Sequence, residues 1–153
     1  MDGVLETLVE ANNEENRLKA ALAAKAQGKK IIGYLCNYVP QEVIYAADMF
    51  PFRMLGTWRT DTRLADSYMT PQSCSYCRNV LQAGLQGKYD FLDGVVTTDS
   101  CVNMRRLLDT WLYKDLSPMT HILDIPWETN PNAQDYYVTS VVAFKHKLEE
   151  SFG

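Results

Sequence analysis

The sequence predicts an α/β fold in which a parallel four-stranded sheet is covered by helices on both faces and preceded by an N-terminal helix. Two observations predict it. Four short apolar runs are typical of buried parallel strands. Segments with apolar residues at helical spacing follow these runs. Because right-handed crossovers return each strand beside an earlier one, this alternation places helices on both sides of the sheet.

The first half of the chain supplies the N-terminal helix, two strands and the helix between them. Apolar residues at helical spacing predict a first helix that stops at Gly28. The apolar run at 31–35 predicts the first strand. Pro40 suits the start of a helix, because its missing N–H costs nothing there, and predicts a helix over Gln41–Met49. The second strand is predicted at Phe52–Thr57, directly after a proline.

The second half repeats the alternation after an irregular connection at 58–72 that is rich in Arg, Asp and Thr. Helices are predicted at about 73–85, at 101–113 and at 134–152, and strands at 94–98 and 121–126. No internal repeat or long linker divides the chain. We therefore expect residues 1–153 to form a single domain of the flavodoxin-like or Rossmann-like three-layer type.

The composition of the chain limits which classes of partner it can bind. With 153 residues, 46% of them hydrophobic, the chain is long enough for one compact core. Its 15 basic and 19 acidic side chains give a formal charge of -4, which argues against a nucleic-acid partner. No apolar run approaches the ~20 residues of a membrane helix, and acidic groups stand near the N-terminus where a secretory signal carries basic ones. We expect a cytoplasmic protein with no membrane partner.

Three of the four cysteines follow predicted strands. Cys36 comes after the first strand and Cys101 after the third, while Cys74 begins the helix that follows the second. Ligands of open parallel sheets collect at this carboxyl edge. Helix N-termini favour thiolate over thiol, which suits a metal ligand or an iron-sulfur cluster. The positions of these cysteines therefore predict a metal or cluster site.

Other interpretations of the cysteines stay open. Unpaired cysteine often packs as a small buried hydrophobe. Cys74 and Cys77 form a CxxC pair, which is typical of a thioredoxin-like redox site or of half a zinc site. All four cysteines together offer the ligands of a tetrahedral zinc site. The chain carries no G-x-G-x-x-G and no phosphate-binding P-loop.

Two longer motifs cover most of residues 33–111. The first, GYLCNYVPQEVIYAADMFPFRMLG at 33–56, contains the pattern G-Y-x-C-x-Y-x-P-x-E-x-I-x-A-A. The second, CSYCRNVLQAGLQGKYDFLDGVVTTDSCVNMRRLLDTW at 74–111, contains a Cys-x-Tyr-x-Arg helix, a Tyr-Asp-Phe-Leu-Asp-Gly segment and a second Cys that opens a helix. Their order and spacing resemble the large subunits of the 2-hydroxyacyl-CoA dehydratase and benzoyl-CoA reductase family, the 2-hydroxyglutaryl-CoA dehydratase D-component type.

The resemblance implies an oxygen-sensitive enzyme of anaerobic metabolism that holds a [4Fe-4S] cluster. It implies two homologous subunits, fed single electrons by a separate ATP-hydrolysing iron-sulfur activator protein. The electron would pass to the thioester carbonyl of an acyl-CoA substrate and make a ketyl radical, which permits loss of a hydroxyl group or reduction of an aromatic ring. The motifs do not choose between these two outcomes.

The resemblance also implies roles for single residues. Cys74 and Cys101 match two cluster ligands of the family, and a third ligand would come from a later domain. Residues 1–153 would then be the N-terminal part of a longer two-domain subunit and inactive alone. Glu42 matches the P-x-E position and is a candidate proton-handling residue beside the substrate, or else a carboxylate that stabilises a helix start. Cys36 is not carried over as a ligand, and Arg78 is expected to be solvated unless it pairs with the cluster or a CoA phosphate.

A second hypothesis from another class is a non-catalytic iron-sulfur or zinc-binding module that transfers electrons or assembles with a partner. Iron analysis separates a cluster from zinc, and acyl-CoA binding separates an enzyme from a module.

Overall fold

The computed structural model describes residues 2–56 and 61–153. The described part contains four strands and six α-helices. The strands are β1 (Ile31–Tyr34), β2 (Phe50–Arg53), β3 (Gly94–Thr98) and β4 (Met119–Leu123). The helices are α1 (Asp2–Ala11), α2 (Glu14–Ala26), α3 (Gln41–Ala46), α4 (Ser75–Leu85), α5 (Val102–Tyr113) and α6 (Pro131–Phe152).

The four strands form one parallel sheet in the order β2-β1-β3-β4. The predicted α/β class and the four-stranded parallel sheet are therefore confirmed. The order is that of a flavodoxin-like sheet, because β2 and β3 flank β1 on opposite sides. The chain reverses direction across the sheet between β1 and β3, and that reversal creates a crevice at their carboxyl ends.

Each face of the sheet buries its own core. Successive side chains of a strand point to opposite faces, so Ile31 packs toward α2, α4 and α5 whereas Ile32 packs toward α3 and α6. The first core includes Met54, Cys77, Val80, Leu81, Val95, Leu107 and Trp111. The second core includes Val39, Ile44, Val96, Leu123, Phe144 and Leu148. These two cores make the three layers predicted from the sequence.

The predicted single N-terminal helix is two helices in the structure. Asn13 interrupts it, because its side-chain oxygen accepts a hydrogen bond from the Asn16 backbone N–H at 2.8 Å and caps α2. Apolar periodicity continues across this break, which is why the sequence pattern alone predicted one helix.

The second strand begins two residues earlier than predicted, since β2 includes Pro51. The proline was expected to precede the strand, but β2 is an edge strand, where a missing N–H does not break a second ladder. The strand ends at Arg53, so its predicted continuation through 54–56 is wrong, and Thr57, the last residue of the predicted strand, lies outside the described residues. Of the predicted irregular connection, 58–60 lie outside the described residues, and the remainder contains a short 3-10 helix at Ala65–Ser67.

Three other boundaries differ from the predictions. Helix α3 ends at Ala46 rather than Met49, because Asp48 adopts a left-handed φ of 54°. Strand β4 begins two residues before the strand predicted at 121–126 and ends three residues before it. Helix α6 starts three residues early, because the Asn130 side chain accepts a hydrogen bond from the Ala133 N–H and Pro131 fits the first turn. Across 2–56 and 61–153, none of the helices has both the length and the apolar composition that crossing a bilayer requires.

Candidate functional site

Cys74 and Cys101 occupy equivalent positions at the carboxyl edge of the sheet. Cys74 is the N-cap residue of α4 and Cys101 is the N-cap residue of α5, and both are exposed. The backbone N–H of Cys74 donates a hydrogen bond to Asn103 Oδ1 at 3.3 Å. Because Asn103 lies in the first turn of α5, this bond holds the two helix starts side by side. The two predicted ligand residues therefore belong to neighbouring helix N-termini, and their role as ligands stays a prediction.

The chemistry of these two helix starts fits an anionic cluster. Neither cysteine side chain caps its own helix, and neither helix has an acidic residue in its first turn. The first N–H groups of a helix have no partner within the helix, so they are available to donate to an anion. Two thiolates beside such donors can hold two irons of an iron-sulfur cluster, whose sulfides accept hydrogen bonds.

Tyr76 fixes the first turn of α4 against the sheet. Its hydroxyl donates to the Met54 carbonyl oxygen at 2.6 Å and lies 3.0 Å from the Leu35 carbonyl oxygen. These carbonyls stand just beyond β2 and β1. Burial raises the pKa of Tyr76 to about 12, so the hydroxyl keeps its proton at neutral pH. The tyrosine of the Cys-x-Tyr-x-Arg motif thus positions the helix that carries Cys74.

Arg78, the last residue of that motif, fixes the preceding loop. Its guanidinium forms an ion pair with Asp66 at 2.6 Å and donates to the Thr62 hydroxyl, also at 2.6 Å. Its side chain is only 18% exposed. The expectation of a solvated arginine is therefore wrong, and Arg78 holds the segment before Cys74 against α4.

We expect Arg78→Met to lower the free energy of unfolding by about 1–3 kcal/mol, because it removes the cation paired with Asp66 and leaves this carboxylate with the Thr62 hydroxyl as its donor. Urea unfolding followed by far-UV circular dichroism measures the change. Arg63→Met is the matched control, because Arg63 also pairs with an aspartate, Asp61, but its side chain is 89% exposed. The Arg63 substitution should leave the unfolding midpoint unchanged. Equal effects of the two substitutions would contradict the anchoring role.

Cys77 lies beneath the exposed pair. It is completely buried in the first core, and its Sγ is 4.0 Å from the Met104 Sδ atom of α5. Burial raises the pKa of Cys77 to about 12, and the nearby Cys74 and Cys101 thiols act in the same direction. Cys77 therefore remains a neutral thiol behind the two candidate ligands.

The geometry does not support a four-cysteine zinc site. Cys36 packs against the second core, whereas Cys77 belongs to the first core on the opposite face of the sheet. Within residues 2–56 and 61–153, no three His, Cys, Asp or Glu side chains are grouped so that they could hold a metal ion. The described residues therefore place Cys74 and Cys101 at two neighbouring helix starts but do not form a closed tetrahedral site with Cys36 and Cys77.

Cys36 lies in the crevice between β1 and β3, where its Sγ is 3.6 Å from the Ser100 Oγ. Partial burial opposes ionisation of this thiol. Hydrogen bonds from Thr98, the Tyr38 backbone and Ser100, together with the charge of Arg53, outweigh burial and lower the pKa of Cys36. From the sequence, Cys36 was expected only to follow the first strand and was not carried over as a ligand. The Thr-x-Ser spacing before Cys101 was the signal that could have indicated this environment.

We expect Cys36 to react with iodoacetamide at a lower pH than an ordinary thiol, because only the thiolate attacks and its pKa is lowered. Peptide mass spectrometry across a pH series gives the midpoint for this residue. Ser100→Ala removes one of the hydrogen bonds that favour the thiolate, so the midpoint should move to higher pH. An unchanged midpoint in this variant would show that the hydrogen bond has no such effect.

Glu42 is exposed in the first turn of α3, on the other face from the cysteine pair. Burial raises the pKa of Tyr137, and the Glu42 carboxylate adds to this effect, which places Glu42 near α6. In the described part of the chain, no hydrogen bond joins Glu42 to Cys74 or Cys101. The predicted residues of the site are thus brought together only in part.

An apolar cavity of about 430 Å³ opens at the same carboxyl edge, between the loop after β1, the loop after β4 and the start of α6. It is lined mainly by Tyr38, Ile125, Pro126, Ala133, Tyr137 and Val138. The Tyr137 hydroxyl donates to the Tyr38 carbonyl oxygen at 3.3 Å and closes one side of it. The edge of the sheet therefore combines exposed thiols with an apolar recess.

The fold and this edge define a three-layer α/β domain that presents two exposed thiols where its parallel strands end. The family model described as 2-hydroxyglutaryl-CoA dehydratase, D-component, matches residues 36–153, which is most of the chain. The chain belongs to this family. The resemblance seen in the two sequence motifs is confirmed.

Named relatives agree with this assignment. The chain is 30% identical over 131 residues to the beta subunit of (R)-2-hydroxyglutaryl-CoA dehydratase from Acidaminococcus fermentans, covering 84% of this chain and 35% of that protein. It is 36% identical over 80 residues to the (R)-phenyllactyl-CoA dehydratase beta subunit from Clostridium sporogenes, covering 51% and 21%. It is 26% identical over 127 residues to a benzoyl-CoA reductase subunit from Thauera aromatica, covering 82% and 33%. The matched region spans about a third or less of these relatives.

Proposed function

We propose that this chain is the cluster-binding N-terminal part of a subunit of a 2-hydroxyacyl-CoA dehydratase or benzoyl-CoA reductase type of enzyme. In this role it passes low-potential electrons from a [4Fe-4S] cluster to an acyl-CoA thioester. The observation that carries the proposal is the pair of exposed cysteines at two adjoining helix N-termini. Membership of the family supports it.

Cys74 and Cys101 would hold two irons of the cluster, and the first N–H groups of α4 and α5 would donate to its sulfides. The remaining ligands would come from protein outside residues 1–153, such as a later domain of the same polypeptide. The cluster supplies single electrons when bound. The chain's own contribution is placement, since Tyr76 and Arg78 fix α4 and its preceding loop.

The proposed chemistry needs a site that limits access of water. A thioester carbonyl accepts an electron only at very low potential, and the resulting radical anion must be stabilised before it is quenched. The apolar cavity beside Tyr137 offers a recess of low polarity at the same edge of the sheet. Glu42 is the candidate proton-handling residue, and its place on α3 puts it on the cavity side of the sheet rather than beside the thiols.

The proposed partners are an acyl-CoA substrate, a second homologous subunit and an ATP-dependent iron-sulfur activator protein. The three relatives are each named as one subunit of an enzyme, which supports a partner subunit for this chain as well. The proposed setting is the cytoplasm of an anaerobic cell.

Anaerobic reconstitution tests the proposal. The chain is incubated with ferrous iron, sulfide and 2-mercaptoethanol, the last to occupy the ligand positions that the chain does not supply. We expect about four irons and four sulfides per chain and an electron paramagnetic resonance signal after reduction, as a [4Fe-4S] centre requires. Binding of zinc in place of iron, or no metal uptake, would favour a structural module or a role without metal. Binding of an acyl-CoA to the reconstituted protein, measured by calorimetry, then separates an enzyme part from an electron-transfer module.

A further inference from the structure

Cys77 is a buried thiol that the proposed cluster site does not use. It forms a CxxC pair with Cys74 at the start of α4. Cys74 is the N-cap residue and Cys77 is the third residue of the helix, so both lie within the same helical turn. The pair therefore consists of two thiols at neighbouring positions on one face of one helix.

The two thiols differ in access to solvent. Cys74 is exposed, whereas Cys77 is completely buried in the first core, where its Sγ lies against Met104. Of these two thiols, only Cys74 can be reached by an oxidant from solution. Once Cys74 carries a mixed disulfide, Cys77 is the thiol positioned to attack it from inside the protein. This arrangement provides an attacking thiol and a resolving thiol within one turn of backbone.

Closing a disulfide requires a small movement, and the movement is available at Cys74. Residues three apart on a helix have Cβ atoms about 5–6 Å apart, whereas a disulfide needs roughly 3.5–4.5 Å. Cys74 is outside the regular helix, with φ −50° and ψ 127°, and its side chain makes no capping hydrogen bond. A change in the φ and ψ of Cys74, which weakens its N–H bond to Asn103, can therefore shorten the distance while Ser75–Leu85 stays helical.

We infer that Cys74 and Cys77 form a reversible disulfide when no metal is bound, by exchange with a low-molecular-weight disulfide. The Cys74 thiolate attacks one sulfur of that disulfide and releases one thiolate. The Cys77 thiol attacks the Cys74 sulfur and its proton passes to the departing sulfur of the small molecule, which leaves as the second thiol. Two protein thiols are oxidised and one small disulfide is reduced to two thiols.

The disulfide would block Cys74 as a ligand until it is reduced. This consequence rests on the proposed function, whereas the disulfide itself does not. Oxidation would therefore protect the exposed thiol and prevent cluster assembly under oxidising conditions.

Peptide mapping tests the inference on the metal-free 153-residue chain. The protein is equilibrated with oxidised glutathione, quenched with acid, alkylated and digested. We expect a Cys74–Cys77 disulfide in at least ten-fold excess over any Cys74–Cys101 disulfide. In Cys77→Ala, Cys74 should instead accumulate bound glutathione, while Cys36→Ser should behave as the unchanged protein. A persistent glutathione adduct on Cys74 of the unchanged protein, or a dominant Cys74–Cys101 disulfide, would overturn the inference.

Iron uptake separates the two proposals. With ferrous iron alone, so that neither 2-mercaptoethanol nor sulfide reduces the disulfide, the oxidised chain should bind at least ten-fold less iron than the reduced chain, and prior reduction with dithiothreitol should restore binding. If the Cys74–Cys77 disulfide forms but neither state binds iron, the dithiol inference holds and the proposed cluster function fails. If iron binds and no Cys74–Cys77 disulfide forms, the proposed function holds and the inference fails.

Discussion

Cys74→Ser and Cys101→Ser are each expected to lower the iron bound by the reconstituted chain at least ten-fold. Each substitution replaces one of the two thiols at the adjoining helix starts. A serine hydroxyl is a much poorer iron ligand than a thiolate, because iron-sulfur clusters are held by soft sulfur donors. Iron and sulfide analysis after anaerobic reconstitution measures the loss, and the reduced electron paramagnetic resonance signal should disappear with it.

Cys36→Ser is the matched control for these variants. It also removes one thiol at the carboxyl edge of the sheet. That thiol packs against the second core, on the face of the sheet opposite α4 and α5. It should keep its iron and its signal. Loss of iron in the Cys36 variant equal to that in the Cys74 variant would show that the ligand set has been assigned to the wrong cysteines.

Trp111→Ala is expected to lower the free energy of unfolding by about 3–5 kcal/mol, the usual cost of truncating a large buried aromatic side chain. Trp111 is only 1% exposed, and its indole N–H donates to the Ser117 hydroxyl at 3.0 Å. It fills the space between the final turns of α4 and α5. A Cβ atom added to Gly84 would lie 2.5 Å from its ring, so the ring already touches the α4 backbone. The cavity left by alanine therefore opens the interface between the two helices.

Urea unfolding of the metal-free chain, followed by far-UV circular dichroism, measures this loss. Trp127→Ala is the control, because Trp127 is 85% exposed and its removal should leave the unfolding midpoint in place. A midpoint for the Trp111 variant equal to that of the control would contradict the assigned core. Cluster assembly in the Trp111 variant should also weaken, since the spacing of α4 and α5 positions both candidate ligands.

The fold was predictable because its signals are local. The strand at 94–98 was predicted with its observed bounds, and the helix after it within one residue, because a fully buried apolar run followed by an N-capping segment has few alternatives. The error at the second strand arose where tertiary placement overrides local preference. Pro51 is accepted in β2 only because that strand is at an edge, and sequence pattern does not reveal which strand is at the edge.

The positions of the candidate site residues in the fold could be predicted from the sequence, but their side-chain contacts could not. The rule that ligands collect where parallel strands end placed Cys74 and Cys101 at helix starts, and the structure has both there. Pairs formed between distant segments were not predictable. Arg78 with Asp66, and Tyr76 with the carbonyls beyond two strands, depend on how loops fold back onto α4. The same holds for Cys36, whose surroundings come from β3 and the loop before α5.

Helices α4 and α5 are joined at both ends, by the Cys74–Asn103 hydrogen bond at their starts and by the contact of Trp111 with Gly84 at their finishes. Two helices held together at both ends move as one rigid unit. If the proposed cluster binds at Cys74 and Cys101, atoms held by this pair of helices would shift little when the cluster gains or loses an electron, so the protein would contribute a small reorganisation energy to that step. Rapid electron transfer through the proposed cluster would then depend in part on the packing of Trp111 against Gly84, at the opposite end of these helices from the cysteines.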